Sequence, residues 1–343
     1  MPALTPQTLH DVSRDIFLAM GSAAPEAEAV ADHLVRANLA GHDSHGVGML
    51  PTYVRLHREG RLVLNQTLRT VVDSGPLLVL DAQRGVGQRL AAEAVDRACG
   101  RASEFGICLL ALRDAGHIGR MGTYGEQCAA RGLVFVAFAN VASGVTVQAV
   151  WGAASSSLGT NPFTVAVPRA GHPPVLLDMA TTAIAFGKAR VAQEAGKALP
   201  EGAAIDAEGH PTTDPAALVL RREGALLSFG KHKGSGMAVM CELLGGAMTG
   251  GLRADNSGEG GVTNSMLAFI FDPARLGADS ASVEAVCQHV TSGPVAPGHT
   301  TVQVPGGPEI ATAERRQAQG IDLDDASWAE VRAAAESVGV TVT

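Results

Sequence analysis

The 343-residue sequence predicts an α+β fold with a mixed or largely antiparallel sheet. Two observations predict it. After residue 70, strand-like and helix-like stretches intermix without the regular alternation of a doubly wound parallel sheet. The one glycine pair that follows a strand and opens a helix, Gly85-Val86-Gly87, has no third glycine, and no acidic residue closes a second strand about 20 positions on. Length allows two domains, or one with a helical appendage, and a 46% hydrophobic content supports a sizeable core.

The elements follow in order. Thr5-Pro6 is a cap and first position for a helix carrying Leu9, Val12, Ile16 and Phe17, stopped by Gly21. Pro25 opens a second helix with Val30, Leu34 and Leu39, stopped by Gly41. Pro51 starts a third, with Tyr53, Val54 and Leu56, ending at Gly60, so residues 1–70 form a helical unit. Strands are expected at 71–72, 77–80, 107–112, 133–139, 163–167, 175–177 and 266–271, and helices at 87–101 and 237–248. The tail is helical again over 311–319 and 325–338.

A formal charge of −8 argues against a nucleic-acid binder, which needs a basic surface, and leaves room for a local anion pocket. Aromatics, at 4%, are too few for stacking platforms. Five cysteines without C-x-x-C spacing read as reduced, mostly structural thiols of a cytoplasmic protein. The N-terminus lacks a basic-then-apolar leader and no apolar run approaches ~18 residues, so no membrane partner is expected.

Residues 41–51 concentrate the chemistry: Ser44 beside His45, with His42 nearby and glycines at 41, 46 and 48. Imidazole exchanges a proton near neutrality, and glycine lets a small molecule approach the backbone closely. Taken alone, such a pair is more often a helix–helix turn with a surface histidine. His42 and His45 have metal-pair spacing only on a helix, which the glycines oppose, so no metal is assigned. A second glycine-flanked histidine, His117, follows a strand in Asp114–Gly122, beside Arg120, as a candidate second wall of one pocket. Thr160-Asn161-Pro162 has turn chemistry, and Asp178 ends an apolar strand ahead of Met179, Ala180, Thr181 and Thr182. Lys231–Gly236, with His232, Lys233 and Gly234, is a basic, glycine-spaced lead-in to a helix, suited to a phosphate or carboxylate. No Walker A sequence is present.

In order, these segments resemble the malate/L-lactate dehydrogenase family of NAD(P)-dependent oxidoreductases, which does not use a Rossmann fold. The resemblance rests on Asp43-Ser44-His45-Gly46, Gly116–Gly119, Gly159–Pro162, Asp178-Met179-Ala180, Pro211–Pro215, His232-Lys233-Gly234 and Pro305-Gly306. The stretches 41–49, 117–132, 183–192 and 240–251 resemble its hydroxycarboxylate dehydrogenase branch. It implies a helical domain of residues 1–70 completed by 300–343, and an α+β nucleotide-binding domain over 71–299. It also implies a homodimer and an NAD or NADP cofactor. By the same resemblance His45 is the proton donor and Ser44 its pocket neighbour. Thr160, Asn161, Pro162, Asp178–Thr182, His232, Lys233, Gly234, Gly306 and Gly307 meet the cofactor. His117 lines the pocket.

Two departures stand out. Met49 replaces an arginine that many relatives would use to grip a carboxylate, and Gly307 lies where an acidic residue is common. The expected reaction interconverts a 2-hydroxy acid and its 2-oxo acid, with His45 giving or taking the proton at a pKa near the working pH. Asp178 orients His45 or holds the nicotinamide. Arg120 and Lys233 are candidates for charge compensation, and Met49 favours 2-oxo acids, among them apolar or aromatic ones. Lys188 and Arg190 meet a 2′-phosphate or form a solvated basic strand end. Cyclic imino acids, ureidoglycolate and diketo sugars are alternative substrates. From other classes, a metal-dependent hydrolase and a non-catalytic binding protein are the alternatives.

Overall fold

The computed structural model describes residues 4–194, 196–256 and 261–342. Helix α1 (Pro6–Ala19) starts where expected: Thr5 accepts a hydrogen bond from the Thr8 N–H at 3.0 Å, and Pro6 fills the first turn. Helix α2 (Ala24–Leu39) ends in a Schellman turn, in which His42 N–H donates to Ala37 and Gly41 N–H to Asn38, both at 2.9 Å, with Gly41 at φ +82°. Two 3₁₀ turns, Asp43–His45 and Val47–Met49, lead into α3 (Leu50–Arg58).

Strands β1 (Arg69–Ser74) and β2 (Leu77–Asp81), helix α4 (Gly87–Phe105) and strand β3 (Ile107–Gly116) follow, then α5 (Gly122–Ala129), β4 (Val134–Ala142), β5 (Phe163–Arg169) and β6 (His172–Met179). After α6 (Phe186–Glu194) come the short β7 (Ala204–Ile205), β8 (Pro211–Thr212), α7 (Ala216–Val219) and β9 (Ala225–Leu226). Helix α8 (His232–Cys241) continues as a π-helical turn, Glu242–Ala247. Strand β10 (Thr263–Phe271) and helices α9 (Ser280–Thr291), α10 (Gly307–Gln319) and α11 (Asp325–Glu336) complete the chain.

The main sheet has the order β1-β2-β3-β10-β4-β5-β6, and only β2 and β3 run parallel. The α+β class with a largely antiparallel mixed sheet is therefore as predicted. The parallel pair is joined by α4, so one βαβ unit exists where Gly85-Val86-Gly87 lies. A side chain at Gly87 would overlap the carbonyls of Gly116 and His117. That glycine serves a close helix–strand approach, not a phosphate.

The two larger of four apolar clusters among the described residues organise the molecule. Leu80, Leu90, Leu112, Tyr124, Phe135 and Met266 lie in the one formed by the sheet with α4 and α5. In the other, Leu9, Phe17, Leu34, Leu50 and Tyr53 pack with Trp328 and Val331 from the far end of the sequence. Helix 237–248 starts earlier than expected, at His232. Helices α5, α6, α7 and α9 were not expected, and Lys188 and Arg190 lie on α6, so a basic strand end is not what they form.

Candidate active site

Sequence places Ser44 and His45 in a tight turn, and the turn is held from two sides. Asn38, wholly buried in α2, accepts from the Val47 N–H at 2.9 Å and donates to Asp43 Oδ1 at 2.7 Å. A Cβ on Gly46 would overlap the Asn38 amide, which explains the glycine after the histidine. Arg316 of α10 donates to both oxygens of Asp43, at 2.7 and 2.9 Å.

The second wall is the segment after β3. Gly119, at φ +70°, leaves room only for the His33 ring, and the Arg120 N–H donates to His33 Nε2 at 2.9 Å. The Ile118 N–H donates to Asn264 Oδ1 at 3.0 Å. This pinning brings His117 onto His45, with ring centroids 5.5 Å apart and planes within 22°. Ser44 Oγ lies 2.9 Å from His45 Nδ1. His117 Nδ1 lies 2.6 Å from the Tyr53 hydroxyl, which accepts from Gln88 Nε2 at 2.6 Å.

Burial lowers the pKa of His45 to about 4, with Asp178 opposing the shift and His42 and Arg120 adding to it. The same cause holds His117 well below the usual imidazole value and His33 at about 3. At that value His45 is a neutral base at pH 7, below the near-neutral pKa expected from the sequence. His42 Nε2 lies 3.5 Å from Glu309 Oε1.

Asp178, at the end of β6, accepts from the Gly122 N–H at 2.7 Å and from Thr164 Oγ1 at 2.8 Å. Arg120 Nε is 3.8 Å from the same carboxylate, and its Nη1 donates to Glu126 at 2.7 Å. Asp178 therefore acts on His45 through its field rather than through a hydrogen bond among the described residues. Arg120, only 3% exposed, keeps a buried Nε without a hydrogen-bond partner. It also lines a cavity of about 250 Å³ between α2, β6 and α10, shared with Arg36, Leu176, Gly306, Glu309 and Ile310.

The expected cofactor residues divide. Asp178, Met179, Ala180 and Thr182 lie at the strand end. A bridge from Thr182 to Ser228 sets that end beside the lead-in to α8, where His232 and Lys233 are exposed. The Thr182 hydroxyl is buried without a partner. Gly306, at φ +94°, sits on Leu176, two residues before Asp178, and Gly307 opens α10. Thr160 offers its carbonyl to Thr181, and Pro162 offers its own to the Ala139 N–H at 3.0 Å and to Cys241.

Three of the expected cofactor residues are packed into contacts within the chain. Asn161 has no exposed surface, and its amide is taken up by Val141, Ala238 and Glu242. Thr181 is equally buried, on Thr160 and Gln148. Gly234 fits against the Phe229 carbonyl. Met49 is part-buried against the helical core. Asn38, Tyr53, Gln88 and Arg316 were missed. Tyr53 read as an apolar helix position, and only the polarity of Gln88 between Gly87 and Leu90 hinted at a role.

A largely antiparallel mixed sheet with two stacked imidazoles beside it, in a chain whose relatives are dehydrogenases, marks an oxidoreductase. Among the described residues no group of three or more His, Cys, Asp or Glu is placed to hold a metal. The chain belongs to the malate/L-lactate dehydrogenase family, whose model matches residues 4–332. It is 43% identical over 340 residues to hydroxycarboxylate dehydrogenase B of Escherichia coli (strain K12), covering 97% of this chain and 94% of the relative. It is 40% identical over 341 residues to an L-lactate dehydrogenase of Cupriavidus necator, covering 97% of each. Sulfolactate dehydrogenase from Methanocaldococcus jannaschii superposes with a TM-score of 0.88 at 28% identity, covering 99% of this chain and 98% of the other. The metal-hydrolase alternative has no support among these relatives.

Proposed function

We propose that the protein interconverts 2-hydroxy acids and 2-oxo acids using NAD or NADP, with His45 accepting the hydroxyl proton in oxidation and returning it in reduction. The observation that carries this reading is the His45 ring, stacked on His117 and hydrogen-bonded to Ser44. A base that is unprotonated at pH 7 suits removal of an alcohol proton, and Asp178 steadies the imidazolium that results. Ser44 fixes the ring's rotation.

The buried Thr182 hydroxyl, without a hydrogen-bond partner among the described residues, fits a polar ligand, and exposed Lys233 and the uncapped start of α8 fit an anionic one. These groups, with Gly306, Gly307 and the Asp178–Thr182 strand end, would hold a nicotinamide dinucleotide. When bound, that group supplies or takes up the hydride at C2. Met49 leaves the carboxylate grip to Lys233 or to the first turn of α3.

We extend the proposal to two cores that act as a helical unit (1–70 with 300–343) and an α+β unit (71–299), in a cytoplasmic homodimer. Val239, Met240, Leu243 and Met248, exposed along α8 and its continuation, support a second copy as their cover. No helix among the described residues is long and apolar enough to cross a membrane.

The test is absorbance at the reduced-nicotinamide band, with both cofactors, against pyruvate, oxaloacetate, 2-oxoglutarate, phenylpyruvate and a cyclic imino acid. Turnover of an oxo acid is expected. Reduction of the imino acid alone would replace the substrate assignment.

A further inference from the structure

The two stacked imidazoles are held by different partners, and the difference separates their roles. We propose that Gln88 and Tyr53 form a relay that fixes His117 in the tautomer protonated on Nε2, making His117 the hydrogen-bond donor to the reacting oxygen and leaving His45 as the sole proton carrier. The proposal rests on the dehydrogenase reading above.

The relay has a direction. The Gln88 amide nitrogen has only protons to give, so the Tyr53 hydroxyl accepts at 2.6 Å. That hydroxyl has one proton of its own, which goes to His117 Nδ1, also 2.6 Å away. Nδ1 accepts, so the ring proton sits on Nε2. Gln88 and Tyr53 are 3% and 2% exposed, so water does not compete for these bonds. Burial raises the Tyr53 pKa and lowers that of His117, so the phenol stays protonated and the imidazole neutral.

Backbone and ring are held by the same helix turn. Gly87 of α4 is pressed onto the carbonyls of Gly116 and His117, while Gln88, the next residue, addresses the ring through Tyr53. With Nδ1 occupied, His117 has no second site through which to pass a proton on. It instead presents a fixed dipole to the oxygen on which charge gathers as the C2 alcohol loses its proton. His45, whose Nδ1 meets only the rotatable hydroxyl of Ser44, is free to change protonation state. Gln88 and Tyr53 are positioning residues.

The test reads the tautomer and the rate separately. Long-range ¹H–¹⁵N correlation spectra of the labelled protein, with the His117→Asn variant for assignment, should show His117 protonated on Nε2. In Gln88→Glu the new carboxylate accepts a hydrogen bond from the Tyr53 hydroxyl, so Nδ1 must donate to that oxygen and the pattern reverses. Turnover should then fall about 10²-fold, the effect of losing one oriented donor, with cofactor affinity unmoved. Tyr53→Phe should give mixed tautomers and a loss of about tenfold. A wild-type ring protonated on Nδ1 overturns the relay, and so does a Tyr53→Phe protein with both spectrum and rate unchanged. A reversed tautomer with full turnover overturns the role of His117. The spectrum needs no substrate, so it decides the relay even if the dehydrogenase reading fails.

Discussion

Arg316, near the C-terminal end of α10, grips both carboxylate oxygens of Asp43, the residue that opens the turn carrying Ser44 and His45. A segment more than 270 positions away in sequence thus sets the aim of the candidate base. Asp43 is half-exposed, which weakens the pair, so replacing Arg316 by Met should remove about 1 kcal/mol from the turn. If all of that energy is lost from the transition state, kcat falls by about fivefold, which sets the upper bound. Steady-state kinetics with a separate cofactor titration check this, and an unchanged kcat would show that Asn38 alone holds the turn.

Gly46 and Asn38 occupy one space. Gly46→Ala should destabilise the protein by about 1–3 kcal/mol, because the methyl group must displace a buried amide that is itself hydrogen-bonded to Val47 and Asp43. In an Asn38→Ala background the same change should do much less, since the obstacle has gone. Urea unfolding of the four proteins measures the coupling, and additive losses would mean that the strain lies elsewhere.

Much of the fold was legible because its signals are local. Thr5-Pro6 and Gly41 mark helix ends by cap chemistry that needs no tertiary partner, and the apolar runs of β3, β4 and β10 are long enough to read as strands. Helix α5 was not legible, because Gly122 and Gly125 lower its propensity and its place is set by packing on β5. Its first N–H is held by Asp178, 56 positions on. The site divides the same way. Ser44, His45 and His117 stand out as chemistry in glycine-rich turns. Asn38, Gln88 and Arg316 act through contacts between distant segments, and Asn161 and Thr181, which look like ligand contacts in the motif, prove to be buried in the protein's own hydrogen bonds.

His45→Asn keeps the size and a hydrogen-bonding atom but cannot take up a proton. Turnover should drop about 10²–10⁴-fold while cofactor affinity holds. Fluorescence titration of reduced nicotinamide alongside turnover separates the two. Turnover within a few-fold of wild type would remove His45 from the role of proton carrier.

One buried and two half-buried imidazoles, His33, His45 and His117, also make stability depend on pH with a defined sign. His33 and His45 have folded pKa values of about 3 and 4, and His117 is lowered too, all chiefly by burial. Above the unfolded value of about 6.5 these rings are neutral in both states and contribute no pH dependence. Below it, the unfolded chain binds protons that the folded chain refuses, so stability falls as the pH drops toward about 4. Each such ring removes about 1.4 kcal/mol per unit across that window. Melting temperatures should therefore be level from pH 8 to 7 and decline steadily from pH 6.5 to 4.5. His33→Gln, which keeps an acceptor for the Arg120 N–H but cannot be protonated, should flatten part of that decline. An equally steep decline in the variant would mean that His33 is not among the groups responsible.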